Sequence, residues 1–90
     1  MKCISVYTDN FELFSDIYET VMGTNLQENE ETEIEGVTVS DSGSVPEHYL
    51  EKMKAKPEVV VMKVKASNIT ILQHGKVFEI FIPEEQNMLH

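Results

Sequence analysis

Hydrophobic residues in this chain follow two periods, and the places where one gives way to the other outline the elements. Residues 3–7 alternate, with Ile4 and Val6 on one side, and suit a first strand. From Phe11 the spacing turns helical: Phe11, Phe14, Ile17 or Tyr18, and Val21 form one stripe, opposite Glu12, Asp16 and Glu19. Asp9 followed by Glu12 resembles a capping box, and Gly23 a C-terminal stop, which predicts a helix over about residues 10–22. The polar, acidic stretch 24–33 reads as a mobile connection. Residues 33–39 alternate again as a second strand with Gly36 as a bulge, and residues 40–44 read as a loop.

Ser44, Pro46 and Glu47 then offer a hydroxyl cap, a first-turn proline and an N3 glutamate. They predict a helix over about residues 45–54 with Val45, Tyr49, Leu50 and Met53 inward. Lys52, Lys54 and Lys56 complement the dipole at its end, and Pro57 stops it. Strands over 58–65, 68–73 and 76–82 complete a meander. Its turns fall at Ala66-Ser67 and at His74-Gly75, the latter as a two-residue type I′ hairpin. The expected product is one α+β domain over residues 1–83, ordered β-α-β-α-β-β-β. Its sheet is mostly antiparallel with both helices on one face, and residues 84–90 form a disordered tail.

Period-two alternation sorts the meander onto two faces. Val60, Met62, Val64, Ile69, Ile71, Phe78, Ile80 and Ile82 share one; Val59, Val61, Leu72, Val77 and Phe81 share the other. Two short helices on one side leave the second apolar face bare. Val59, Val61, Leu72, Val77 and Phe81 are therefore the expected contact surface, and a homodimer the expected partner state.

Charge is divided unevenly along the chain. Residues 1–50 hold eleven carboxylates and one cation, Lys2, whereas residues 51–90 hold six lysines and five carboxylates. There is no arginine. A polyanion is repelled by the net charge of −9, so nucleic acid is excluded as a partner and a basic protein surface is favoured. The single cysteine, the missing leader pattern and the lack of any apolar run near the ~18 residues of a membrane span point to a reducing cytoplasm and no membrane.

Candidate chemistry is sparse. Cys3 lies in a strand without an electropositive setting and reads as an inert thiol. His48 and His74 match no metal-ligand spacing, no serine sits in a nucleophile elbow, and no cofactor motif occurs. Ser42, Gly43 and Ser44, leading into a helix that carries His48, form the one candidate ligand site, with Asp41 and Glu47 opposing an anion there.

The segments MKCISVYTDNFELFSDIYE and ITILQHGKVFEIFIP resemble short uncharacterised proteins of Bacillus-type Gram-positive bacteria. A transhydrogenase alpha-subunit label attached to some of them finds no support here, because the chain is far too short and has no dinucleotide fingerprint. The resemblance implies a bacterial cytoplasmic protein and carries over no catalytic residue. The expected function is a non-enzymatic interaction or regulatory module that self-associates through the outer sheet face. The alternative is a small-molecule binding domain or small enzyme using Ser42, Gly43, Ser44 and His48.

Overall fold

The computed structural model describes residues 1–64 and 67–83, so the expected tail at 84–90 and the turn residue Ala66 lie outside the described residues. Six strands and two helices follow in the order β1 (Lys2–Val6), α1 (Phe11–Gly23), β2 (Glu31–Ile34), β3 (Val37–Ser44), α2 (Glu47–Lys54), β4 (Val60–Lys63), β5 (Thr70–His74) and β6 (Val77–Ile82). They build one sheet in the order β2-β3-β1-β6-β5-β4. Every neighbouring pair is antiparallel, as an α+β domain of this size is expected to be.

The first helix lies where its stripe placed it, but Asn10 caps it in place of Asp9. The Asn10 Oδ1 accepts the Leu13 N–H at 3.1 Å, satisfying one of the free donors at the helix start. Thr24 closes the other end, its hydroxyl donating to the Thr20 carbonyl at 2.7 Å. Phe14, Ile17 and Val21 are buried, and the Phe14 ring stacks on Phe78 with centroids 4.2 Å apart.

Residues 31–44 depart from expectation. Gly36 is not a bulge but half of a tight turn: Glu35 and Gly36 both have positive φ, 53° and 81°, and Ile34 pairs with Val37. Both central residues in the left-handed region define a type I′ hairpin, which glycine enters without the Cβ penalty that Glu35 bears. The expected loop at 40–44 is instead the second half of β3. Alternation persists through polar residues, with Val37, Val39, Asp41 and Gly43 all buried. The strand irregularity sits opposite Cys3 and Ile4, which pair with Gly43 and Asp41 and leave Ser42 as the extra residue. Ser44 therefore belongs to a strand and does not cap α2; Pro46 occupies the cap position without a side-chain hydrogen bond. At the β5–β6 hairpin the turn is Gly75-Lys76, since His74 pairs with Val77; only Gly75 has positive φ, which fits type II′ and not type I′.

The two-face sorting of the meander holds, but the placement of the helices does not. α1 packs on Ile4, Val6, Val39, Ile71, Phe78 and Ile80. α2 packs through Leu50 and Met53 on Cys3, Val59, Leu72 and Phe81, which have the opposite strand parity. One helix seals each face. The reason is the path of the chain: it must travel from β3 to β4 across β1, β6 and β5, a span of about 19 Å at ordinary strand spacing. α2 makes that crossing on the side α1 leaves open. Leu72 and Phe81, expected on a partner surface, have no exposure at all, and Val59 is also buried.

Substituting Phe81→Ala should accordingly destabilise the domain by about 3–5 kcal/mol in urea unfolding, as a filled core position does. Val61→Ala, at an exposed site, should change stability by about 0.5 kcal/mol or less. Near-equal small effects would mean that Phe81 is not core.

Candidate functional site

The residues singled out for a ligand are kept apart in role by the fold. Ser42 and Ser44 are exposed on β3 and His48 is exposed in the first turn of α2, while Gly43 is buried. Gly43 has φ +79° and a Cβ there would fall 2.5 Å from the Glu28 carboxylate. The Gly43 N–H, the donor an anion would need, already donates to the Asp41 carboxylate at 2.6 Å. Asp41 is itself buried and its other oxygen meets the Lys2 ammonium at 3.1 Å. Two carboxylates thus guard this strand end, where Lys2 is engaged by Asp41 and the Met1 ammonium donates to the Val45 carbonyl at 2.9 Å. The Gly43 amide is therefore already committed and cannot serve an anionic ligand.

A second polar cluster lies under α2. The His74 ring Nε2 is 2.9 Å from the Glu79 Oε1, and the Tyr49 hydroxyl donates to the same carboxylate at 3.4–3.5 Å. Burial and the Glu79 carboxylate raise the Tyr49 pKa above its ordinary value. Cys3 lies on this same face, and burial first, then the Glu79 charge, pushes its thiol up to about 12. A thiol held protonated is a poor nucleophile. The cluster ties α2 and the β5–β6 turn to the sheet. Among the described residues no three His, Cys, Asp or Glu side chains gather where a metal ion would need them.

What remains open is the edge of the sheet. β4 ends the strand order, so among the described residues nothing pairs on its outer side. Val60 and Val61 are the exposed aliphatic side chains of the sheet, at 52% and 40%, one on each face. The Val64 N–H donates to the Ile69 carbonyl at 3.2 Å, which makes that pair a hydrogen-bonded one. Antiparallel ladders alternate, so the even-numbered residues of β4 turn their backbone groups toward β5. Val61 and Lys63 turn theirs to solvent.

Beside this edge runs a groove of about 550 Å³ between α1 and the sheet, lined by Phe11, Phe14 and Tyr18 with the carboxylates of Asp16 and Glu19 on one wall, and by Met62, Val64 and Ile71 with Lys63 on the other. Phe11 is half-exposed at its mouth. The opposite edge is built differently. Glu31 and Glu33 of β2 are exposed, with Glu35 in the turn beyond, and charge along an edge opposes strand pairing. Sequence reading found the apolar surplus of the meander but not this site, because strand order alone decides that β4, and not β5 or β6, is at the edge. Its signal was the run Val59-Val60-Val61.

Comparison with family models, with curated proteins and with solved structures returned no match. The site must therefore be interpreted from its own geometry.

In the native domain Cys3 should react with a thiol reagent at pH 8 at least ~100-fold more slowly than in the urea-unfolded chain. The sign of its pH linkage follows from the upward shift. Below about pH 9 both folded and unfolded thiols keep their proton; above it the unfolded thiol ionises first, so stability falls as pH rises toward 12. Cys3→Ala should remove that part of the alkaline loss, read as the urea midpoint against pH. An unchanged slope would place Cys3 in a more solvated setting.

Proposed function

We propose that this chain is a non-enzymatic protein-interaction module that receives an extended segment along β4, by strand addition. The observation that carries the reading is the outward direction of the Val61 and Lys63 backbone groups on an edge whose exposed side chains include two valines. Added strands gain affinity from main-chain hydrogen bonds and specificity from pockets beside the edge. The α1 groove supplies such a pocket on one face. The outer sheet face, first expected to be the contact surface, is withdrawn from that role because α2 covers it.

Contact through the edge also fits the charge distribution. The exposed carboxylates of Glu28, Glu30, Glu31, Glu33 and Glu35 gather at the β2 side, five strand spacings or about 24 Å from β4. That distance exceeds the screening length of about 8 Å at physiological salt, so the acidic side neither helps nor hinders an approach to β4.

The test is an amide-resolved titration of the labelled domain with a short capped peptide of alternating valine and threonine, with lysines at its ends. Hydrogen exchange at Val61 and Lys63 should slow on addition, and shift changes should be confined to β4 and to the groove wall at Phe14 and Tyr18. Changes centred on β2, or none at β4, would reject strand addition.

A further inference from the structure

We infer that the segment received by β4 is the β4 of a second copy, paired antiparallel across a two-fold axis normal to the sheet, so that two six-stranded sheets become one. This rests on the strand-addition reading and names its occupant.

Parity restricts the register. A two-fold axis normal to the sheet keeps each residue on its own face, so partners directly opposite must both be even or both be odd. The axis therefore passes through Val61, pairing it with itself, or through Met62, pairing Val61 with Lys63 of the second copy. Both registers join the residues whose backbone groups already point outward, Val61 and Lys63. Pairings centred between residues would set an outward-pointing residue against an inward-pointing one and are excluded. β4 is thus self-complementary in backbone direction, in face and in length.

Side chains and charge point to the same occupant. In either register the Val60 of one copy comes to lie beside the Met62 or Val64 of the other, on the α1 side. The half-open groove between α1 and the sheet then gains a second floor from the partner copy, and the two α1 helices share one face. A four-residue pairing alone is short, and this joint groove supplies the apolar burial that a stable contact needs. Two chains of net charge −9 repel each other, which favours an arrangement that keeps the carboxylates of their β2 edges far apart, even though Asp16 and Glu19 of each groove then lie near the joint. Pairing through β4 does this, placing the two β2 edges at opposite ends of the joined sheet. Pairing through β2 would set Glu31 and Glu33 against their own copies.

The test is sedimentation equilibrium of the full chain over micromolar to sub-millimolar concentrations. The mass should rise to that of two chains, and added salt should tighten the association or leave it unchanged, because it screens like charges. Val61→Pro removes an outward donor without costing a bond to β5, and edge strands tolerate proline there. It should weaken dimerisation at least about tenfold with the fold retained by circular dichroism. Val60→Lys, at a site exposed in the single chain, should do the same independently of any backbone change. Glu33→Gln on the opposite edge should not weaken it. A dimer that survives both β4 substitutions, or that salt dissociates, overturns the inference. A strict monomer that still gains protection at Val61 and Lys63 with the alternating peptide overturns the self-pairing and leaves strand addition standing. A monomer without that protection overturns both.

Discussion

Every feature of this domain depends on a sheet whose central strands are apolar on both sides. In β1, β6 and β5, residues of one parity (Ile4, Val6, Phe78, Ile80, Ile71) meet α1, and those of the other (Cys3, Phe81, Leu72) meet α2. A buried strand face is worth roughly 25 cal/mol per Å² removed from water, so neither face is stable uncovered. The chain provides one helix for each. That division consumes both helices, so among the described residues nothing pairs with the outer side of β4, where apolar side chains and outward backbone groups remain together.

The two sides are sealed by different chemistry. On the α1 side the contact is aromatic and aliphatic, centred on the Phe14–Phe78 stack. On the α2 side Tyr49 leans on Phe81 with centroids 6.0 Å apart and carries its hydroxyl to Glu79, which also holds His74. A polar latch beside a small apolar cluster suits a helix of only eight residues, which has less surface to bury than α1. It also accounts for Cys3: the thiol is packing material beneath α2, kept protonated by its burial and by the nearby Glu79 carboxylate.

Much of this was legible in sequence and some was not, for reasons that differ by element. α1 declared itself through a 3.6-residue stripe, and the meander through alternation that sorted its side chains onto the correct faces. Strand β3 was hidden because its second half alternates with Asp41 and Gly43 in buried positions, residues that ordinarily signal a loop. Asp41 is held there by the amide of Gly43, two residues on in the same strand, and by Lys2, a partner from a strand that sequence order does not place alongside. The Ser44 cap failed for the same reason. Most consequential was the side on which α2 lies. Its inward residues were identified, but the face they meet depends on strand order, and strand order is a tertiary property. With both helices assigned to one face, Leu72 and Phe81 looked like a partner surface; with one on each, the contact surface moves to Val60 and Val61 at the edge.

The claim that one helix seals each side of the sheet is tested most directly by side-chain NOEs in the isolated domain. Leu50 and Met53 should show strong NOEs to Leu72 and Phe81, with none to Ile71 or Phe78, while Phe14 and Ile17 show the reverse. NOEs from Leu50 or Met53 to Phe78 would put both helices on the same side. The face carrying Leu72 and Phe81 would then be bare, and the reasoning that leads to the β4 edge would fail.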